Sequence, residues 1–238
     1  MKIALLGYGK MGKEIEKIAL SRGHEIVLKV NIDNATDLTI DNLKKADVAI
    51  EFSTPETAYS NIQKCFESNV PVVVGTTGWL HKMNEVKDAA ENKGKGFFYA
   101  SNFSIGVNVF FEINKKLAQL MAPYSDYTIE MEEIHHTQKL DAPSGTAITL
   151  AEGILENVNS KTKWVNNTSS IPNELEIISK RIGNIPGTHT VVYNSSVDEI
   201  FIRHTAHNRE GFALGAVVAA EFMKGKNGFF GMKDMLKF

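Results

Sequence analysis

Residues 2–12 read KIALLGYGKMG, an apolar run that ends in Gly7-Tyr8-Gly9-Lys10-Met11-Gly12, with a helical pattern directly after it. A strand that turns into a helix through a GxGxxG spacing constrains the fold more than any other feature of the chain. One glycine makes the tight turn, one lets backbone approach a pyrophosphate, and one permits close packing of helix on strand. The phosphates then meet the amide groups and the positive end of the helix. Asp33 follows about 20 residues beyond Gly12, at the end of the next β-rich run, where a carboxylate would accept hydrogen bonds from an adenosine ribose. A structural turn followed by a solvated aspartate would show the same letters, but strand, glycines, helix and acid fall in register. The motif therefore predicts a nicotinamide dinucleotide. A carboxylate at Asp33 repels the 2′-phosphate of NADP, and Asn34 rather than an arginine follows it. Lys10 still offers a cation to a phosphate, so NADH and/or NADPH is expected, leaning to NADH.

The first half of the chain alternates β-rich runs (residues 2–6, 25–30, 48–52, 70–74 and 97–100) with helical patterns (residues 13–21, 57–67 and 81–91). That alternation predicts a Rossmann-like, doubly wound parallel sheet with helices on both faces, an α/β domain. Beyond Ser104 the texture changes. Helical patterns at 107–121 and from Ser144 surround a β-rich run at 127–135, a polar stretch at 160–171 reads as a loop, and runs at 175–180, 188–193 and 199–205 follow at short gaps. These predict an α+β domain with a mixed sheet. The apolar helical stretch 211–224 could pack back on the first domain. The expected division is 1–104 with 208–238 for the dinucleotide, and 105–207 for substrate binding and oligomerisation.

In a doubly wound sheet, ligands bind beyond the carboxyl ends of the strands. Phe52-Ser53-Thr54-Pro55, Gly75-Thr76-Thr77-Gly78 and Ala100-Ser101-Asn102-Phe103 each follow such an end. Each turn alone fits plain capping, by Ser53 or Thr54 for instance; together they define one cofactor edge.

The most informative stretch is Glu133-Ile134-His135-His136-Thr137-Gln138-Lys139-Leu140-Asp141-Ala142-Pro143-Ser144-Gly145-Thr146. Adjacent histidines on an extended segment point to opposite faces, so they are poor chelators of one metal, and no metal site is expected. One histidine can exchange a proton near neutral pH while the other touches substrate or packs. Lys139 adds a cation for a carboxylate, or a second proton donor. Ser144, Gly145 and Thr146 open a helix whose free amides form an anion site. Hydride addition to an unsaturated ring carbon needs such an acid and such anchors. The bland alternative, one core histidine, one surface histidine and a solvated lysine, does not explain the anion-binding turn beside them.

Bulk properties exclude several classes. With 43% hydrophobic residues and a net charge of -2, no field favours nucleic acid or an anionic membrane. No apolar run approaches the roughly 20 residues that span a bilayer. Cys65 is the single cysteine, as in a reducing cytoplasm.

The run from Glu133 to Thr146, with its HHxxKxDAPSGT pattern, resembles the signature of the dihydrodipicolinate reductase family. The likeness extends over the whole chain, through EFSTPE, GTTGW, ASNFSIGVN, RIGNIPGTH and HTAHNREGFALGA. The opening departs from the family's GxxGxMG in being one residue shorter. The resemblance implies a cytoplasmic homotetramer of two-domain subunits that reduces a small cyclic dicarboxylic acid, 4-hydroxy-tetrahydrodipicolinate, in lysine and diaminopimelate biosynthesis. It implies that His135 donates or accepts the proton and that Lys139 is a proton donor as well. His136, Lys139, Ser144, Gly145 and Thr146 would hold the substrate. Gly7, Tyr8, Gly9, Lys10, Met11, Gly12, Asp33, Phe52, Ser53, Gly75, Thr76, Thr77, Ala100, Ser101, Asn102, Phe103, Arg209 and Phe212 would line the cofactor. An amino-acid dehydrogenase with a similar cofactor domain, such as an aspartate or diaminopimelate dehydrogenase, leaves HHTQKLDAPSGT unexplained. A non-catalytic nucleotide sensor would need neither His135 nor Lys139.

Overall fold

The computed structural model describes residues 1–208 and 210–238. Its strands and helices, in chain order, are β1 (Lys2–Leu6), α1 (Lys10–Ser21), β2 (Glu25–Val30), α2 (Ile40–Leu43), β3 (Val48–Glu51), α3 (Pro55–Glu67), β4 (Val72–Val74), α4 (Met83–Asn92) and β5 (Gly96–Tyr99). There follow α5 (Ile105–Met121), β6 (Thr128–His135), α6 (Gly145–Leu155), β7 (Lys163–Val165), β8 (Glu174–Arg181), β9 (Gly187–Asn194), β10 (Glu199–Ala206), α7 (Glu210–Met223), β11 (Gly228–Phe230) and α8 (Met232–Leu236).

The chain divides into two compact units. One comprises Met1–Ile105 with Glu210–Phe238, and the other begins at Gly106 and takes in the chain up to α7.

The first unit is built on a parallel sheet of six strands in the order β11-β5-β4-β3-β1-β2. Side chains alternate across such a sheet, and both faces here are apolar. Ala4 and Leu6 of β1 join a core with Ala58, Ile62, Phe66, Val86 and Ala90 from α3 and α4. Ile3 and Leu5 face the other way, into a core with Ile15 and Ala19 of α1 and the alanine-rich face of α7. Helices thus cover both faces, as the strand–helix alternation predicts. Small residues on α7 have a steric cause, since a side-chain carbon at Gly215 would stand 1.7 Å from the Phe103 carbonyl oxygen.

The second unit carries a mixed sheet in the order β10-β9-β6-β8-β7. β6, β8 and β7 run parallel to one another, while β9 is antiparallel to both β6 and β10. Phe110 and Ala118 of α5, with Leu150, Ala151 and Ile154 of α6, bury Met131, Leu175, Ile177, Val191 and Tyr193 on one face. The pair of a doubly wound parallel sheet and an α+β unit is the fold class that the sequence predicts.

Two local expectations, the loop at 160–171 and a cap from Thr54, are corrected, and short elements that the sequence left unread are added. The polar stretch 160–171 holds the edge strand β7, whose three residues pair with β8 alone and give too short an alternation to read. β11 completes the first sheet beside β5 and is equally short. The segment after β2 contains a 3-10 turn at Ala35–Asp37 and then α2. Thr54 precedes α3 but makes no side-chain cap, because its hydroxyl lies 3.2 Å from that of Thr57 and the helix opens on Pro55. No helix among the described residues is long and apolar enough to cross a membrane.

Candidate active site

The glycine-rich turn of the first unit is tight for stated reasons. Gly7 has φ +97°, and a side-chain carbon there would lie 2.1 Å from the Phe52 carbonyl oxygen. One at Gly12 would lie 2.3 Å from the Gly7 carbonyl oxygen, which explains the close approach of α1 to the turn. A side-chain carbon at Gly9 would meet nothing within 4 Å, so that side of the turn is open to a ligand just where α1 begins, and no side chain caps that helix. These are the features a pyrophosphate needs, and the turn fits the group.

A cleft of about 620 Å³ lies beside this turn. Gly7, Tyr8, Gly9, Phe52 and Ser53 of the predicted cofactor residues line it, together with Asn31 and Ile32 at the end of β2. Asp33 stands exposed one residue farther along, its amide donating to Asn31 Oδ1 at 2.8 Å. Lys10 is exposed and Met11 half-buried in the first turn of α1. Tyr8 donates to Glu16, and Lys29 Nζ sits 5.0 Å above the Tyr8 ring.

The later turns are cross-linked from beneath. Glu51 is fully buried at the end of β3, where burial raises its pKa against the opposing hydrogen bonds of Ser53, Thr76 and Asn61. The Ser53 hydroxyl donates to Glu51, and the Ser53 amide donates to Thr76 Oγ1 at 2.8 Å. Gly75 lies under the Phe52 ring, with 2.2 Å between the ring and a hypothetical side-chain carbon. Phe52 in turn packs 5.5 Å from Phe103. Ala100 and Phe103 are buried, whereas Thr77 and Ser101 are exposed and Asn102 accepts the Ser104 amide at 2.9 Å. Phe212 is half-buried on α7, and Arg209 lies outside the described residues. Glu51, Asn31 and Asn61 were not among the expected site residues. Of these only Glu51 carried a signal, as a charged residue inside an otherwise apolar strand.

In the second unit, His135 ends β6 and is buried, while His136 next to it is half-exposed. Lys139 Nζ contacts both carboxylate oxygens of Asp141, at 2.7 and 2.8 Å. Ser144 caps α6 by accepting the Ala147 amide at 3.2 Å, with Gly145 exposed and Thr146 half-buried in the first turn. An anion at this helix start would meet favourable amides.

Around His135 lies a group that the sequence did not single out. Register across the sheet brings Glu133 opposite His189 and His135 opposite Arg181. Glu133 accepts the Ser144 amide at 3.1 Å and Arg181 at 3.0 Å. His189 lies 3.1 Å from the Ser144 hydroxyl, and its ring is 5.1 Å from that of His135. Burial would raise the pKa of Glu133, but the neighbouring polar groups His135, Ser144, Ser179 and Arg181 outweigh it and hold the carboxyl well below its usual range. His189 is pushed down to about 4, by burial first and then by the charge of His135. Arg181, Gly187 and His189 all belong to RIGNIPGTH, so the motif was visible, but nothing local tied it to Glu133.

The family descriptions "Dihydrodipicolinate reductase, N-terminus" and "Dihydrodipicolinate reductase, C-terminus" match residues 1–103 and 106–236. A 4-hydroxy-tetrahydrodipicolinate reductase of Christiangramia forsetii is 54% identical over 237 residues, covering 99% of this chain and 98% of that protein. One from Clostridium tetani is 36% identical over 99% of this chain and 97% of its own length. Among solved structures, a dipicolinate-bound dihydrodipicolinate reductase from Paenisporosarcina sp. TG-14 superimposes with a TM-score of 0.78 at 26% identity, covering 98% of each chain. A glycine turn shaped for pyrophosphate, a histidine and a lysine on one segment, and these full-length likenesses agree: the chain belongs to the dihydrodipicolinate reductase family.

Proposed function

We propose that this reductase converts 4-hydroxy-tetrahydrodipicolinate, NAD(P)H and a proton to tetrahydrodipicolinate, NAD(P)+ and water, in lysine and diaminopimelate biosynthesis. The observation that carries the reading is the segment from His135 to Thr146, which joins a buried histidine, a lysine and an open helix start within one stretch. The dipicolinate bound by the solved relative supports a cyclic dicarboxylate as substrate.

The first unit is the cofactor domain in this reading. Gly7 to Gly12 hold the pyrophosphate, Phe52 and Ser53 line the cleft, and the turns at Gly75, Thr76 and Thr77 and at Ala100, Ser101, Asn102 and Phe103 border it, with Phe212 and Arg209 contributing. The bound nicotinamide supplies hydride. Asp33 favours NADH over NADPH by repelling the extra phosphate. The second unit binds substrate, with Lys139 and the helix start at Gly145 and Thr146 meeting carboxylate and His136 adding a contact. His135 donates or accepts the proton; Lys139 is the second candidate donor.

A homotetramer is supported by the uncovered face of the five-stranded sheet, where Ile134, Ile178, Val192 and Phe201 remain partly or largely exposed. A cytoplasmic setting is supported by Cys65, unpaired and buried.

The test is oxidation of NADH and NADPH followed by absorbance, with the cyclic substrate generated in place by the preceding synthase. Turnover is expected with both, faster with NADH. Folded protein that turns over neither cofactor would overturn the reading.

A further inference from the structure

Glu133 is a fully buried carboxylate two positions before His135 on β6, so both side chains lie on the same face of the sheet. Its two oxygens differ. Oε1 accepts Ser144 and Arg181, whereas Oε2 has no hydrogen bond and lies 3.1 Å from His135 Nδ1 and 3.8 Å from His189 Nε2. His135 Nδ1 is itself buried without a hydrogen bond. The two atoms are therefore close enough to pair and lack only alignment. A buried polar atom left unpaired is costly, so a small turn of the imidazole that aligns them is favoured.

The other ring nitrogen is placed by a missing side chain. A carbon at Gly187 would stand 3.0 Å from His135 Nε2, so the glycine leaves that nitrogen room. Arg181, at 3.0 Å from Glu133, balances the buried carboxylate. It also donates to the Asp141 carbonyl at 2.6 Å, which ties Glu133 to the turn after Lys139.

Building on the reading of His135 as the proton-exchanging group, we propose that Glu133 is its positioning residue. Glu133 Oε2 accepts from His135 Nδ1–H, fixes that tautomer, and leaves Nε2 as the atom that faces the reaction. The neutral ring then presents an acceptor at Nε2 and the protonated ring a donor, so one orientation serves either direction of proton exchange. A carboxylate that holds a histidine in one tautomer acts through geometry, and losing it affects turnover far more than cofactor binding.

The experiment combines histidine-ring nitrogen NMR with steady-state kinetics on the full-length protein. At mildly alkaline pH with cofactor bound, His135, assigned by the signal lost in His135→Gln, is expected as the Nδ1–H tautomer. Glu133→Gln is expected to shift it towards Nε2–H and to lower kcat by about 10–100-fold, with the KM for nicotinamide cofactor within about twofold. If His135→Gln turns over normally, the reading of His135 fails. If His135→Gln is inactive but Glu133→Gln matches wild type, the Glu133 proposal fails on its own. Should Glu133→Gln not fold, an Nε2–H tautomer at His135 in the wild-type protein would overturn it. Loss of turnover on dialysis against a chelator, restored by zinc, would also overturn it, because Glu133, His135 and His189 bring ligand atoms within 4.8 Å of one another.

Discussion

Lys139 holds both carboxylate oxygens of Asp141, so the cation proposed to anchor substrate is already paired within its own turn. Asp141 is 60% exposed on its side chain, and a pair this open to solvent contributes only about 0–1 kcal/mol. The hydrogen bond from Lys139 first, then a backbone hydrogen bond at Asp141 and the charge of the lysine, keep the Asp141 carboxyl below its usual pKa against the effect of burial. A substrate carboxylate can displace Asp141 at little cost, because the lysine trades one carboxylate for another.

Lys139→Met should therefore raise the KM for the cyclic substrate about tenfold or more and lower kcat as well, since each charge-assisted contact is worth about 1.5–3 kcal/mol. The affinity for NADH, read by nicotinamide fluorescence, should not move. An unchanged KM for substrate would remove Lys139 from the site.

The glycines give a graded series. Gly7→Ala would collide with main chain at 2.1 Å and must also hold φ +97°, so it should fail to fold or lose cofactor binding altogether. In Gly75→Ala the new carbon meets the Phe52 ring, which can shift, at a cost of about 1–3 kcal/mol and with weaker cofactor binding. Gly23→Ala has open space but keeps φ +77°, so it should cost only about 1 kcal/mol and leave the cofactor untouched. Urea unfolding and NADH titration of the three variants would test the order, and an intact Gly7→Ala enzyme would refute it.

What the sequence made legible was local. The opening turn, the alternating strands of the first unit and the capped helix start at Ser144 each follow from a few neighbouring residues. What stayed hidden depended on pairing over distance. Glu133 meets His189 and Arg181 only because β6 lies between β9 and β8, a register that no run of residues encodes by itself. β7 and β11, at three residues each, exist because a longer neighbour offers them hydrogen bonds. Tyr193, fully buried with its hydroxyl unpaired, likewise looks like any strand aromatic until the sheet is assembled.

His189 predicts how stability depends on acid. Its pKa falls to about 4 in the fold, while an unfolded histidine sits near ~6.5. Below about 6.5 the unfolded chain takes up a proton that the folded chain does not, so this contribution is complete above that pH and is lost as pH falls towards 4. The loss should reach about 2 kcal/mol by about pH 5. His204, lowered by burial and then by His207, works in the same direction. His189→Gln should be less stable than wild type at neutral pH but flatter between pH 7 and 5, as measured by urea unfolding. Parallel curves for the two proteins would assign the acid sensitivity elsewhere.

In the proposed reading, cofactor choice turns on the loop after β2. Asn31 Oδ1 accepts the amides of Asp33 and Asn34 at 2.8 and 3.2 Å, and Asn34 Oδ1 accepts the Asn31 amide at 2.8 Å. These reciprocal bonds fix the turn and leave the Asp33 carboxylate exposed at its tip, while Asn31 lines the cleft itself. If Asp33 acts by repelling a 2′-phosphate, removing its charge should strengthen NADPH and spare NADH. Asp33→Ala is expected to improve the Kd for NADPH about three- to tenfold, roughly 0.6–1.4 kcal/mol, with NADH changed by less than about threefold. Raising the salt concentration should shrink the difference between wild type and variant, because exposed charges are screened within about 10 Å at 0.1 M. Fluorescence titrations at two ionic strengths would read both effects. A cofactor ratio unmoved by Asp33→Ala would transfer the ribose contact to Asn31, whose replacement by alanine would then weaken NADH and NADPH alike.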